Sequence, residues 1–142
     1  MKSNKNLIDR LSCFGIMKEL ASIPVLLEAF VEVLEEKEFS EGCEIVTKGE
    51  AGDCAYLLFE GTVEVFDYTM AKEPYTRAVL NDKMNPIFGE IALVAESPRL
   101  ATVVARSKCK CWQIRHNRFV KFGNENPRAG LILLREVASI LV

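Results

Sequence analysis

Residues 88–103 read FGEIALVAESPRLATV. Glu90 and Arg99 stand nine residues apart in this stretch, with Gly89 directly before the acid and Pro98 directly before the arginine. Most of their neighbours are small or aliphatic, so opposite charges are placed where water would be scarce. A short helical turn over 89–93 would aim its first N–H groups, which lack an internal acceptor, at an anion. Arg99, just ahead of a strand over 100–105, would grip a phosphate with two parallel bonds. Glu90 repels that anion and suits a sugar hydroxyl, which it would meet as an acceptor. An anion beside a hydroxyl-bearing sugar, inside a dry barrel, describes a nucleotide. The plain alternative is a Glu90–Arg99 salt bridge that steadies a loop. Buried pairs stabilise poorly because desolvation cancels most of the attraction, so a ligand explains the two charges better.

The rest of the chain bounds this reading. Its 142 residues fit one domain, 1–142, with a core that needs no staples. Hydrophobic residues make up 49% and charged residues 27%, an ordinary globular balance. A net charge of −2 gives no general attraction to nucleic acid or to an anionic membrane, so neither is an expected partner. No segment reaches the roughly 20 apolar residues of a membrane span, and no signal peptide opens the chain. Five cysteines, an odd number without regular spacing, fit a reducing, cytoplasmic setting.

Three zones separate by pattern. Residues 1–38 read as a helical flank. Ser22 caps, Pro24 falls in the first turn, and Leu26, Leu27, Phe30, Val33 and Leu34 form an apolar stripe that carries the helix through the charged run 32–38. A weaker helix precedes it, with Gly15 as its break. Residues 39–114 change register to short β-branched and aromatic runs punctuated by Gly, Asp and Asn, the pattern of an all-β barrel or sandwich. Within it, CAYLLFEGTVEVF reads as strand, tight turn at Glu60-Gly61, strand. GEAGD, residues 49–53, is a turn, and 67–76 a longer loop. Residues 115–142 are helical again. Gly123 closes a first helix, and Asn126-Pro127 opens a second that runs to Val142 with Leu131, Leu134, Ala138 and Leu141 on one side.

Catalytic readings find little support. His116 is the only histidine, so a barrel enzyme holding its metal through three histidines is excluded, and no metal site is expected. His116 itself reads as an exposed helix-start residue. Cys109 and Cys111 share the apolar face of their strand with Ala101, Val103 and Ala105, which makes them core filling. Lys108 and Lys110 take the other face, where Trp112 and Ile114 would meet the flanking helices.

FGEIAL…SPRLATV resembles the phosphate-binding cassette of cyclic nucleotide-binding domains, the family of kinase regulatory subunits, cyclic-nucleotide-gated channels and the catabolite activator protein. Phe88, Gly89, Glu90, Ala92, Leu93, Pro98, Arg99, Ala101 and Thr102 agree together. GEAGDCAYLLFEGTVEVF is similar to the family's glycine-rich first half, and the helical flanks match as well. The resemblance implies a mainly β fold with flanking α, a β-roll of the double-stranded β-helix or jelly-roll type between N-terminal and C-terminal helices. It implies that Arg99 binds the cyclic phosphate, framed by Gly89, Ile91, Ala92 and Ala101, and that Glu90 binds the ribose 2′-hydroxyl. It implies also that the C-terminal helix covers the base, through Leu134, Val137 and Leu141.

The expectation is thus a sensor module, not an enzyme, whose ligand is cAMP or cGMP and which uses no cofactor. Leu100, beside the arginine, lacks the hydroxyl often found in cGMP-selective members, which favours cAMP. No helix-turn-helix, kinase or channel segment is present, so the effector is expected to be a separate protein; a homodimer would form through the C-terminal helix. Asn85-Pro86 replaces the glycine usual before the cassette. That departure keeps a rival reading alive, a scaffold domain that has the fold and binds no nucleotide.

Overall fold

The computed structural model describes residues 4–142. Ten strands form two four-stranded antiparallel sheets and one short ribbon. The first sheet runs β1 (Leu34–Phe39), β10 (Cys109–Arg115), β4 (Cys54–Glu60), β7 (Ile87–Phe88). The second runs β2 (Glu44–Val46), β9 (Thr102–Ala105), β5 (Thr62–Tyr68), β6 (Pro74–Asn81). The ribbon pairs β3 (Ala51–Gly52) with β8 (Ser97–Pro98). Helices α1 (Asn4–Leu11) and α2 (Pro24–Phe30) precede the strands, and α3 (His116–Glu125) and α4 (Pro127–Ile140) follow them. This is the mainly β roll between helical flanks that the sequence implies.

One sheet serves two cores. Alternate residues of a strand point to opposite faces, and β4 is buried on both. Cys54, Tyr56 and Leu58 face the second sheet with Val46, Val63, Phe88, Val103, Ala105, Cys109 and Cys111. Ala55 and Leu57 face the other way with Trp112 and Ile114, against Leu11, Phe14, Phe30, Phe119, Phe122 and Leu133 of the helical segments. Trp112 meets the helices as its strand phase requires, edge-on to Phe14. Cys109 and Cys111 are fully buried and free. Burial pushes both thiols up, Cys111 to about 12, so they are packing groups and not nucleophiles.

Several boundaries differ from expectation, each for a tertiary reason. The first flank stops being helical at Val33, and residues 34–39 are the strand β1. Glu and Lys are good helix formers, but β10 offers this segment a partner along six positions, Leu34↔Ile114 to Phe39↔Cys109. Its acids then meet cations, Glu38 with Lys110 at 3.7 Å and Glu35 with Arg115 at 3.3 Å, the cross-strand pairing that favours a sheet. Ser22 does not cap α2. Its hydroxyl donates to the Glu19 carbonyl, and Ile23 occupies the cap position with Pro24 first in the helix, as expected of the proline.

The turn at Glu60-Gly61 is a corner, not a hairpin, because β4 and β5 lie in different sheets. Gly61 has φ of +106°, and a Cβ there would stand 2.5 Å from the Lys108 carbonyl oxygen. Alternation marks a strand without naming its partner, so the sequence pattern is blind to this distinction. The 67–76 loop shrinks to residues 69–73, since Pro74 already pairs with Tyr68 at the start of edge strand β6, a place a proline tolerates.

At the other end, α3 passes through Gly123 to Glu125, and α4 ends at Ile140. Gly123 lies inside the helix, where the backbone of Gly130 packs against it, and does not end the helix. The buried face of α4 is Ala129, Ile132, Leu133 and Val137, while Leu131, Leu134 and Leu141 are exposed. A Cβ added at Gly130 would meet the Gly123 Cα at 2.7 Å, whereas one at Gly123 would meet the Gly130 Cα at 3.6 Å. The two substitutions should therefore act oppositely. Gly123→Ala should stabilise by up to about 1 kcal/mol through helix propensity. Gly130→Ala should destabilise by about 1–3 kcal/mol by prising α3 from α4. Denaturant unfolding of both variants checks this, and equal shifts would contradict the close crossing.

Candidate functional site

The site is built on the cassette. Gly89 takes φ of +73°, the left-handed region, and starts a short helical turn over Glu90–Leu93. A residue with a side chain would be strained there, so the glycine fixes the turn's entry. The first N–H groups of such a turn have no internal acceptor and face outward. Before it, Asn85 adopts φ 49°, ψ 54°, a conformation that Asn tolerates best after Gly. The Asn85 side-chain oxygen also accepts from the Arg10 guanidinium. The position where the family's glycine is missing thus holds a residue that adopts left-handed backbone.

Arg99 is held from all sides. Its N–H donates to the Glu50 carbonyl at 2.8 Å, and its carbonyl accepts from the Gly49 N–H at 2.9 Å. The GEAGD loop, read from sequence only as a turn, is the brace for the arginine's backbone. The side chain then lies against two glycines: a Cβ at Gly52 would come 3.0 Å from Arg99 Cδ, and one at Gly89 would come 2.7 Å from its Nη1. Nη2 donates to the Cys54 carbonyl at 2.8 Å and Nη1 to the Gly89 carbonyl at 3.3 Å. Nη2 also lies 3.5 Å from Cys54 Sγ, which leaves Nε–H and the second Nη1–H for a ligand.

Beneath it runs a buried polar cluster. Gln113 Nε2 donates to the Tyr56 hydroxyl at 3.2 Å, and Cys54 Sγ lies 3.4 Å from the same oxygen. Burial pushes the Tyr56 phenol far up, with the Cys54 hydrogen bond next in effect, so it stays neutral. Tyr56 also stacks on Phe88, the residue before the cassette glycine, with centroids 5.3 Å apart.

Glu90 and Arg99 do not pair. Both are half-buried and line one pocket of about 260 Å³, with Gly89, Ile91, Ala92, Leu100 and Ala101. Arg99 directs its side-chain bonds to the Gly89 and Cys54 carbonyls. Among the described residues no hydrogen bond or ion pair is found on the Glu90 carboxylate. The loop salt bridge is therefore not what brought these charges together. An adjoining cavity of about 580 Å³ shares Gly52, Ala92, Ser97 and Pro98 with this pocket and adds Asp53, Glu96 and His116.

Of the residues expected at the site, the seven from the cassette stand around one pocket. Leu100 is at its rim, 58% exposed. The three from α4 do not: Leu134 and Leu141 are exposed elsewhere, and Val137 is fully buried in the helical core. Helical phase places Val137 with Leu133 and Ala129, which dock α4, and not with Leu134. The sequence reading missed Gly52, which the close approach of Arg99 requires, and Arg77 of β6, which reaches the pocket from a strand that is distant in sequence. Arg77 lies 3.9 Å from Asp67 and keeps half its side chain exposed. The Thr102 hydroxyl accepts from the Lys48 N–H at 3.1 Å and is nearly fully buried. His116 was expected to be exposed; its ring is half-buried, with Nδ1 2.8 Å from the Ala92 carbonyl.

Known proteins share this fold. The chain is similar in fold to the N-terminal domain of a transcriptional regulator from Streptomyces coelicolor A3(2), at TM-score 0.82 and 23% identity over 93% of this chain and 91% of that one. It is similar to a cAMP-bound PfPKA-R fragment, at TM-score 0.73 and 26% identity over 86% of this chain and 43% of the other. A third neighbour is the regulatory subunit of a cAMP-independent protein kinase A from Trypanosoma cruzi, bound to guanosine, at TM-score 0.72 and 25% identity, covering 81% of this chain and 39% of that one. The sequence model described as the cyclic nucleotide-binding domain matches residues 36–126. With its cassette glycine, acid and arginine around one pocket, the chain belongs to the cyclic nucleotide-binding domain family.

Proposed function

We propose that the chain binds a cyclic nucleotide non-covalently in the pocket between the 89–93 turn and Arg99, as a cytoplasmic sensor that controls a separate effector protein. One observation carries this reading. Glu90 and Arg99 flank the same pocket without neutralising each other, which is what an anion beside a hydroxyl needs. Arg99 takes the cyclic phosphate, and the turn's N–H groups share its charge. Attraction between a guanidinium and a phosphate monoanion is on the order of 4 kcal/mol at 4 Å and intermediate dielectric, before desolvation. Glu90 accepts from the ribose 2′-hydroxyl. Leu100 offers the base only methyl groups. An acceptor for the guanine amino group is absent at that position, so cAMP is favoured over cGMP by about 2- to 12-fold, one neutral hydrogen bond.

The neighbours bound to cAMP and to guanosine support a nucleotide ligand of this class. Five free cysteines fit a reducing compartment, and no helix among the described residues is long and apolar enough to cross a membrane. The family's regulatory members support a binding role over catalysis. Signal output runs through α4, whose exposed Leu131, Leu134 and Leu141 form an apolar stripe for covering the base, for an effector, or for a second copy of the chain. Covering the base requires α4 to leave its dock, because Val137 holds it in the core.

Arg99 gives the direct test. Arg99→Ala should weaken cAMP binding by about 30- to several thousand-fold, the 2–5 kcal/mol expected for stranding a desolvated charge partner. Arg99→Lys should recover part of it as a point charge. Calorimetric titration with cAMP and cGMP reads both the loss and the base preference, and unchanged cAMP affinity in Arg99→Ala would remove the assignment. Glu90 is tested by a cycle of Glu90→Gln against 2′-deoxy-cAMP. Coupling of about 1 kcal/mol or more is expected, while additive losses would show that Glu90 does not read the hydroxyl.

A further inference from the structure

We propose that His116 is a positioning residue that couples the phosphate turn to α3, passing nucleotide binding to the C-terminal helices through one side chain. The proposal rests on the pocket assignment above. His116, the chain's only histidine, is the first residue of α3 and follows β10 directly. Its N–H donates to the Asp53 carbonyl at 2.8 Å, and its ring Nδ1 stands 2.8 Å from the Ala92 carbonyl. A carbonyl oxygen only accepts, so Nδ1 carries the proton and donates.

Those two partners belong to the two walls that hold Arg99. Asp53 joins Gly52, against which the arginine lies, to Cys54, whose carbonyl takes its Nη2. Ala92 lies in the turn that Gly89 opens, and the Gly89 carbonyl takes the arginine's Nη1. His116 does not line the pocket of Arg99 and Glu90; it lines the adjoining cavity with Asp53, Glu96 and Ala92. It therefore acts on a bound nucleotide through Ala92 and not by touching it. An anion that draws in the free Glu90 and Ile91 N–H groups shifts the four-residue turn as a body, and the Ala92 carbonyl at its far side carries the imidazole with it. α3 follows, and α4 with it, because the Gly123–Gly130 crossing leaves no slack between them. The coupling is reciprocal: a helix position that strains the Ala92 bond weakens the nucleotide.

The test is hydrogen exchange of residues 116–140, with and without saturating cAMP, in wild type, His116→Ala, His116→Phe and His116→Asn. In wild type, cAMP should change the exchange rates of α3. In His116→Ala that change should shrink by about 2- to 12-fold, the worth of one hydrogen bond. His116→Phe keeps a ring without the donor and should behave like Ala, which also covers the case of an Ala variant that folds poorly. His116→Asn sets an amide N–H near the place of Nδ1 and should restore the wild-type response, which a purely space-filling role would not. If wild type binds cAMP but α3 does not respond, or if Ala responds as wild type does, or if Asn fails with Ala, the coupling role is overturned. If wild type binds neither cAMP nor cGMP, the pocket assignment beneath it falls instead.

Discussion

Arg99 lies where it does because two glycines leave room for it. A carbon added at Gly89 would collide with the Arg99 side chain and one at Gly52 would press tightly on it, and the carbonyls of Cys54 and Gly89 then fix the guanidinium's angle. Everything that makes the pocket depends on this slot. The short β3–β8 ribbon supplies Gly52, the turn over 89–93 begins at Gly89, and the Glu50 and Gly49 backbone pins the arginine's own main chain. A cation held this way has lost its freedom before any ligand arrives, and preorganisation of that kind converts charge into affinity.

The doubly buried sheet explains how such a small roll can hold the slot rigid. β4 gives alternate residues to two cores, so Cys54, whose carbonyl grips Arg99, sits between a sheet-to-sheet core and a helix-to-sheet core. The helices are therefore not appendages. They pack on the reverse of the strand that carries the site, and α3 starts at the point where β10 leaves it. The pocket and the helices are mechanically adjacent, which is the arrangement the proposed sensor role needs.

Much of this was legible in the sequence because the cassette is local. Gly89, Glu90, Ile91, Ala92, Arg99, Leu100 and Ala101 lie within a single short stretch, and a glycine-led turn followed by Pro-Arg and a strand carries its own geometry. The strand phase of residues 101–114 likewise assigned Cys109 and Cys111 to one core and Trp112 to the other. What escaped depended on distant partners. Leu34–Phe39 looks helical until β10 offers its cations, Glu60-Gly61 looks like a hairpin until the strands part to different sheets, and Gly123 looks like a stop until Gly130 comes against it. Arg77 and Gly52 belong to the pocket by proximity alone. For α4 the apolar residues occupy more than one face, so the pattern did not say which face would dock, and Val137 fell into the core.

A cyclic nucleotide seated against the 89–93 turn and Arg99, as proposed, would perturb the amides of those residues directly. A backbone amide NMR titration of the full chain with cAMP tests it residue by residue. Saturable shifts are expected, centred on Gly89–Ala92, Arg99–Ala101 and Gly52, with a displaced Arg99 side-chain Nε resonance. No shifts at millimolar cAMP, or shifts confined to surfaces away from these residues, would contradict it.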